Sequence, residues 1–218
     1  PFNNTILNFF FFFTDIKNYQ TLVQSEDVNL NRGYLATAEK VRVRGAELDG
    51  RITVTKNLSF NTALSYTDGQ YVSFKNAPLP LEETGLKVDG KQVYSKDISG
   101  AQLPGISKWA GTLGGDLSKD ARFFGNKGKL FFAVDSYSRS SFSSNATPSK
   151  YLVVKGYSIF NSRIGFRASE GLTVFVWGRN LFDKNYFEQL LPAGGNAGQY
   201  AGVLGDQRTY GITFKYVL

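Results

Sequence analysis

The sequence predicts an all-β fold, an antiparallel up-and-down sheet of about eight strands with one apolar and one polar face. Three observations lead there. Apolar and polar residues alternate with a period of two in stretch after stretch, which in an extended chain sends them to opposite faces. The connections between these stretches alternate between short and long. The 218 residues hold 19 Phe, 12 Tyr and 23 Gly, a mix that favours strands and tight turns and argues against a helical bundle.

The elements follow in order. TILNFFFFFTDIKNYQTLV, from Thr5, is β-prone, but its five successive Phe leave the choice of face open. After a polar segment, 25–32, the stretch VRVRGAELDGRITVT (41–55) sets Ala46, Leu48, Ile52 and Val54 against Glu47, Asp49, Arg51 and Thr53. Lys56 and Asn57 turn the chain into LSFNTALSY, where Leu58, Phe60, Leu64 and Tyr66 share a face with Thr62, opposite Ser59, Asn61, Ala63 and Ser65. Asp68-Gly69 weakens the pattern. The segment 76–103 that follows is polar, broken by Pro and Gly, and longer than a compact soluble domain usually tolerates.

In KWAGTLGGDLS, Trp109, Leu113 and Leu117 lie with Gly111 and Gly115 on one face, opposite Ala110, Thr112, Gly114 and Asp116. A Gly- and Lys-rich turn at 125–128 leads into KLFFAVDSYS, and a polar loop, 140–150, into GYSIFNSRIGFRA. There Phe160, Ile164 and Phe166 oppose Asn161, Arg163 and Arg167. Glu170-Gly171 turns the chain into LTVFVWGRNLF, and a Gly-rich loop, 192–205, precedes RTYGITFKYVL, which closes the chain at Leu218. Tyr210, Ile212, Phe214, Tyr216 and Leu218 make the apolar face of that last strand.

Short turns on one side and long loops on the other are the pattern of a transmembrane up-and-down barrel, whose strands need only about 10 residues with every second one apolar. Mean hydropathy is −0.23 and the longest apolar run, 9–13, is far too short for a spanning helix. A complete eight-stranded barrel would need bulky side chains inside. The faces opposite the apolar ones carry Ser59, Asn61, Ala63, Ser65, Ala110, Thr112 and Gly114, too small to fill it. The sheet is therefore expected to be part of a wider barrel. The chain starts at Pro1, with no Met and nothing resembling a signal peptide, which reads as a mature or truncated piece of something longer.

Composition excludes several kinds of chemistry. Without Cys or His there is no disulfide framework, no Cys/His zinc site, and no Ser-His-Asp or Cys-His triad. The net charge of +7 is spread among acidic residues, with no basic run interleaved with aromatics, so no nucleic-acid partner is expected. It suits a solvated surface, or a rim beside anionic lipid head groups. Glu47 and Asp49 lie two apart on one face, about 7 Å from each other. That is near the spacing of a glycosidase pair, but Arg51 alongside fits a polar barrel wall better. Glu82-Glu83 sits in the longest loop as a solvated pair or a site for a cation. The glycines of 194–205 precede a strand and so do not form a phosphate loop. Asp183 and Arg179 are placed to pair across a hairpin. No catalytic residue, cofactor or metal site is expected.

The last hairpin carries a resemblance. GRNLFDKNYFE (178–188), a glycine-rich loop and GDQRTYGITFKYVL are similar to the carboxyl end of TonB-dependent outer-membrane receptors. The family's Asn-Leu-Phe-Asp and following Tyr, on its penultimate strand, match Asn180, Leu181, Phe182, Asp183 and Tyr186; its Arg-Thr-Tyr-Gly matches Arg208, Thr209, Tyr210 and Gly211. FFTDIKNYQ, RGAEL and QLPGISKW match upstream in the family's order. Leu218 replaces the usual terminal aromatic, and Gln207 a frequent Pro.

The resemblance implies a β-barrel of about 22 strands with a plugged lumen, of which 1–218 would be the carboxyl-terminal portion. The amino-terminal plug domain and the TonB box have no counterpart here. It further implies the outer membrane of a Gram-negative bacterium, with lipid and lipopolysaccharide around the wall. The implied partners are the barrel-assembly machinery, acting through Tyr210, Ile212, Phe214, Tyr216 and Leu218, the plug of the same protein, and the TonB complex. The implied activity is TonB-coupled uptake of a scarce nutrient, foremost an iron–siderophore complex, bound between the plug and the loops around Ser25, Asn76, Ser140 and Pro192. A small structural or adhesive barrel is the alternative, and a soluble all-β binding module a weaker one.

Overall fold

The structure, a computed structural model, describes residues 4–24, 33–193 and 198–217. Eight long strands form one antiparallel sheet in sequential order. They are β1 (Thr5–Gln24), β2 (Gly33–Thr55), β3 (Leu58–Ser73), β4 (Trp109–Phe123), β5 (Asn126–Arg139), β6 (Tyr157–Ala168), β7 (Leu172–Arg179) and β8 (Thr209–Tyr216). Each strand pairs with the next, whereas β1 and β8 do not meet. The described sheet is an open wall and not a closed eight-stranded barrel.

The short turns, 56–57, 124–125 and 169–171, all fall at one end of the wall. The first is held by the Thr55 hydroxyl, which accepts from the backbone N–H of Asn57 (3.2 Å) and of Leu58 (3.1 Å). The second puts Phe124 and Gly125 at φ 48° and 83°, the paired left-handed conformation that suits the twist of a two-residue hairpin. In the third, Gly171 has φ 93°, and a Cβ there would run into the Val217 carbonyl. The long connections, 74–108, 140–156 and 180–208, leave the other end. The expected loop 25–32 lies outside the described residues.

Register aligns the apolar positions into rows across the wall. One row runs Thr5, Ile52, Phe60, Gly115, Val134, and another Leu117, Phe132, Ile164, Val176, Ile212. The pairing also settles the Phe run: Phe9 and Phe11 sit opposite Leu48 and Ala46 on the apolar face, Phe10 and Phe12 opposite Glu47 and Gly45 on the other. Among the described residues, no second layer covers the apolar face. Phe60 is 48% exposed, Trp109 51% and Phe214 68%, so these side chains do not meet in a dry interior. Tyr66 and Trp109, with ring centroids 4.8 Å apart, edge the band towards the long loops, and Phe123 and Phe124 edge it towards the short turns. The other face carries the small residues of β3 and β4 in register, Asn61 opposite Gly114 and Ala63 opposite Thr112.

The packed core lies at the long-loop end. Residues 98–108 run beside the end of β3, with Tyr71 N–H bonded to Ala101 O (2.9 Å) and Leu103 N–H to Gly69 O (3.0 Å). Ala38, Val41, Tyr71, Phe74, Ala77, Ile98 and Leu103 are buried together there. Each of the larger ones contributes about 1.5–3 kcal/mol by leaving water.

Several elements differ from the sequence reading. β2 starts at Gly33, and β3 runs on through Asp68-Gly69 to Ser73, because packing against 98–108 supports strand where the local pattern weakens. Ile106 Cδ1 would lie 2.6 Å from a Cβ at position 69, so Gly69 makes room for it. β7 stops at Arg179, since Asn180 is left-handed at φ 48°. The Asn-Leu-Phe-Asp motif therefore forms a turn beyond the penultimate strand and is not on it. The expected Gly-rich loop, 192–205, is not wholly irregular: its Tyr200–Leu204 pairs with Phe187–Pro192 as a hairpin, and residues 194–197 lie outside the described residues.

Candidate functional site

The long-loop end of the wall is the candidate site, because three connections converge there over the polar face. A 3₁₀ turn, Leu81–Glu83, presents Glu82. Its carboxylate accepts from the Tyr200 hydroxyl (2.7 Å) and the Lys150 N–H (3.1 Å), joining residues from all three long connections. Tyr200 stacks on Tyr151 at 5.1 Å. Glu83 instead holds Lys96 within its own loop, with Nζ 2.7 Å from both carboxylate oxygens. The expected solvated acidic pair is thus fully engaged, one member between loops and one inside its loop.

A second junction lies on β5 and β6. Arg139, the last residue of β5, donates to Ser107 Oγ (2.8 Å) and Gly105 O (2.9 Å), and its guanidinium sits 3.7 Å from the Phe142 ring centroid. Opposite it, Tyr157 packs between Tyr137, which it meets edge-on with ring centroids 6.2 Å apart, and Tyr186, tilted against it at 4.3 Å. These three half-buried rings and one arginine give the mouth of the wall aromatic faces and a cation, suited to a planar or anionic guest.

Asn180 holds the third junction and is 3% exposed. Its Nδ2 donates to Lys184 O (3.0 Å) and Asp206 O (2.9 Å), and its Oδ1 accepts from Lys184 N–H (2.8 Å). Its own N–H donates to Asn161 Oδ1 on β6 (3.0 Å). Asp183 accepts from the backbone N–H of Arg208 (3.1 Å), and Arg208 NH2 is 3.8 Å away. The expected partner, Arg179, lies over the Trp177 ring at 5.3 Å instead. The two motifs of the last hairpin therefore bind one another: Asn-Leu-Phe-Asp clamps the backbone that leads into Arg-Thr-Tyr-Gly.

Glu47 and Asp49 share the polar face, with Asp49 3.4 Å from Asn8 Nδ2. Tyr210, Ile212, Phe214 and Tyr216 all point outward from β8, and Leu218 lies outside the described residues. The sequence alone does not single out Arg139, Tyr157 and Tyr200. Their only local signal is a Tyr or Arg at a strand end beside a long loop, which is common.

Partial burial alone would raise the Glu82 carboxyl. Hydrogen bonds from Tyr200, Ser149 and the backbone outweigh it and hold the group below the ordinary carboxylate range. Burial, then the Glu82 carboxylate, pushes the Tyr200 hydroxyl up to about 12. A lowered carboxyl stabilises the folded loops above its ordinary range and loses that contribution as pH falls through the lowered value. A raised phenol contributes fully below its ordinary value and loses this as pH rises through about 12. Protease cleavage in 140–156 is therefore expected to accelerate once pH falls below about 4, and Tyr200→Phe to bring the same acceleration near neutral pH. The contact is worth on the order of 1 kcal/mol at this partly exposed position.

Comparisons with known proteins agree with this architecture. The family model described as TonB dependent receptor-like, beta-barrel, matches residues 2–181. Among solved structures, the ferric yersiniabactin uptake receptor FyuA from Yersinia pestis superposes with a TM-score of 0.69 at 16% identity, over 98% of this chain and 28% of its own. The siderophore receptor PiuA from Acinetobacter baumannii gives 0.65 at 16% identity, over 98% and 26%. The copper transporter OprC gives 0.64 at 15% identity, over 98% and 29%. No match is found among curated protein sequences. The chain spans less than a third of the length of these solved receptors, and its open wall is the shape of part of their barrel. With the family model covering most of its residues, the chain belongs to the TonB-dependent receptor β-barrel family.

Proposed function

We propose that this chain is the carboxyl-terminal wall of an outer-membrane receptor that takes up an iron–siderophore complex by TonB-coupled transport. The observation that carries this reading is the unclosed eight-stranded wall with an uncovered apolar outer face, in a chain of this family. Such a wall is stable when hydrocarbon meets its outer face and further strands complete the barrel. The short turns then face the periplasm and the long loops the outside, where the Tyr137, Tyr157, Tyr186 and Arg139 mouth meets the ligand. The plug, the TonB box and the remaining strands come from residues outside these 218. The outward face of β8, with Leu218, serves the barrel-assembly machinery.

Siderophore and copper receptors both share this shape. A bare copper ion seeks thiolate, thioether or imidazole ligands, and this wall contains no Cys, Met or His. An organic chelate needs aromatic and charged contacts instead, and these line the mouth.

The test is uptake of radiolabelled ferric siderophore by cells that depend on the full-length protein. Deleting the gene or its TonB partner is expected to abolish uptake, and Tyr157→Ala with Tyr186→Ala to reduce it roughly tenfold with surface levels unchanged. Uptake that persists without the gene would overturn the proposal. A protein that inserts but transports nothing, in a gene lacking a plug, would favour the structural barrel.

A further inference from the structure

We propose that the polar face carries a second ligand site near the short turns, which holds the transported chelate as it leaves the lumen and takes a polyanion bearing aromatic groups. Register places the parts in layers. One row runs Asp120, Lys129, Arg167, Thr173 and Lys215 from β4 to β8. Arg122 and Lys127 face each other two residues nearer the turn. The next row towards the long loops holds Phe131, Gly165 and Phe175, and the one after it Asp116, Ala133, Arg163 and Trp177. Cations thus stand on both sides of a pair of rings.

The layers make a site and not a scatter of charges. Phe131 and Phe175 approach with ring centroids 6.1 Å apart. Gly165 lies between them, where a Cβ would run into Phe175, so glycine opens the floor that both rings share. The Arg167 guanidinium sits 5.6 Å from the Phe131 centroid, and Arg163 reaches Asp116 at 3.8 Å. Among the described residues Arg122, Lys127, Lys129 and Lys215 form no ion pair. A hollow of about 740 Å³ opens over Arg122, Lys127, Lys129 and Arg167, with Asp120 its single acid among the described residues. A second, of about 700 Å³, adjoins it at Arg167 and lies over Phe131, Phe175 and Lys215. Each has the size of a pocket for a small organic ligand. A concave surface lined by one sign of charge concentrates the opposite ion. Here guanidinium and ammonium groups meet the oxygens of an anionic chelate, and the ring floor packs on its aromatic groups.

Continuity with the mouth selects the occupant. The lumen-facing residues of β5 run from Lys127 and Lys129 past Phe131 to Tyr137 and Arg139, so the strand carries cations beside rings at both ends. Between them the one acid of β5, Asp135, is engaged by Asn161 Nδ2 at 2.7 Å. A ligand that Tyr137, Tyr157 and Arg139 accept at the mouth therefore meets the same pairing at the far end of the same strands. A bare metal cation would be repelled by it. The inference rests on the uptake reading above and narrows its cargo to the anionic class.

The test compares uptake of two chelates labelled with radioactive iron, a trianionic ferric tris-catecholate and a neutral ferric tris-hydroxamate, by cells that depend on the full-length protein. Wild-type cells are expected to import the trianionic chelate roughly tenfold faster. Changing Arg122, Lys127, Lys129 and Arg167 together to Gln is expected to slow that import about tenfold, with binding of the chelate to energy-depleted cells unchanged. That split separates a site near the exit from the mouth, where substitution would lower binding itself. Unchanged import by a variant present at the surface, or an equal loss of binding, would overturn the inference. So would equal import of the two chelates by the wild type, or a preference for the neutral one. Variant cells that admit vancomycin without TonB would show the four cations anchoring a lumen-filling domain instead, which also overturns it. If the variant does not reach the surface, Lys127→Gln with Lys129→Gln, both beside an exposed turn, takes its place with the same readings. Wild-type cells that import neither chelate would defeat the uptake reading and the inference with it.

Discussion

Leu113→Arg is expected to destabilise the assembled wall by about 2–4 kcal/mol, whereas Thr112→Arg, one residue away, should be nearly neutral. Leu113 is 65% exposed on the apolar face, between the Trp109 girdle and Leu117. An arginine there would carry its charge into hydrocarbon, too far from either rim for its stem to deliver the guanidinium to water at no cost. Thr112 points to the other face, opposite Ala63 and Tyr137, where water or a lumen-filling domain meets the wall. The full-length variants are compared by heat-modifiable migration on gels and by the denaturant midpoint in detergent. Equal destabilisation of both would contradict the sidedness of the wall, because a sheet buried on both faces would reject either charge.

Asn180→Asp is expected to cost about 2–4 kcal/mol and to release 184–206 from the wall. The substitution preserves shape and tolerance of positive φ, but it replaces two N–H donors with an oxygen facing the Lys184 and Asp206 carbonyls. Each lost bond at a buried site costs about 1–3 kcal/mol, and the repulsion adds to it. Asn180→Gly separates the causes, since glycine accepts φ 48° and removes the hydrogen bonds without setting an oxygen against the two carbonyls. Hydrogen exchange of 184–206 is expected to quicken in both variants, more in Asp than in Gly. Unchanged exchange in Asp would mean that Asp183 and Arg208 alone hold the turn.

The recognised motif gains a physical meaning from this. Asn-Leu-Phe-Asp and Arg-Thr-Tyr-Gly were legible as an ordered pair of words, but not as two halves of one clamp. The sequence suggested an Asp183–Arg179 pair because the two lie close in the chain. The fold separates them, because the left-handed Asn180 turns Asp183 away towards Arg208. The same holds for Glu82: the sequence shows an acid in a long loop, while Tyr200 is 118 residues away and no local pattern joins them.

By itself the sequence determined the strands, their order, the alternation of short and long connections, and which residues of five strands share the apolar face. A period of two needs only neighbouring residues, and turn chemistry is local, so both are written in short stretches. Tertiary structure alone decided the face of the Phe run, the open edges of the wall, the extension of β2 and β3, and the hairpin inside the last loop. It also decided the meeting of Glu82, Lys150 and Tyr200. These depend on pairing register and on contacts between segments far apart in the chain, where the energy comes from partners that no window of sequence contains.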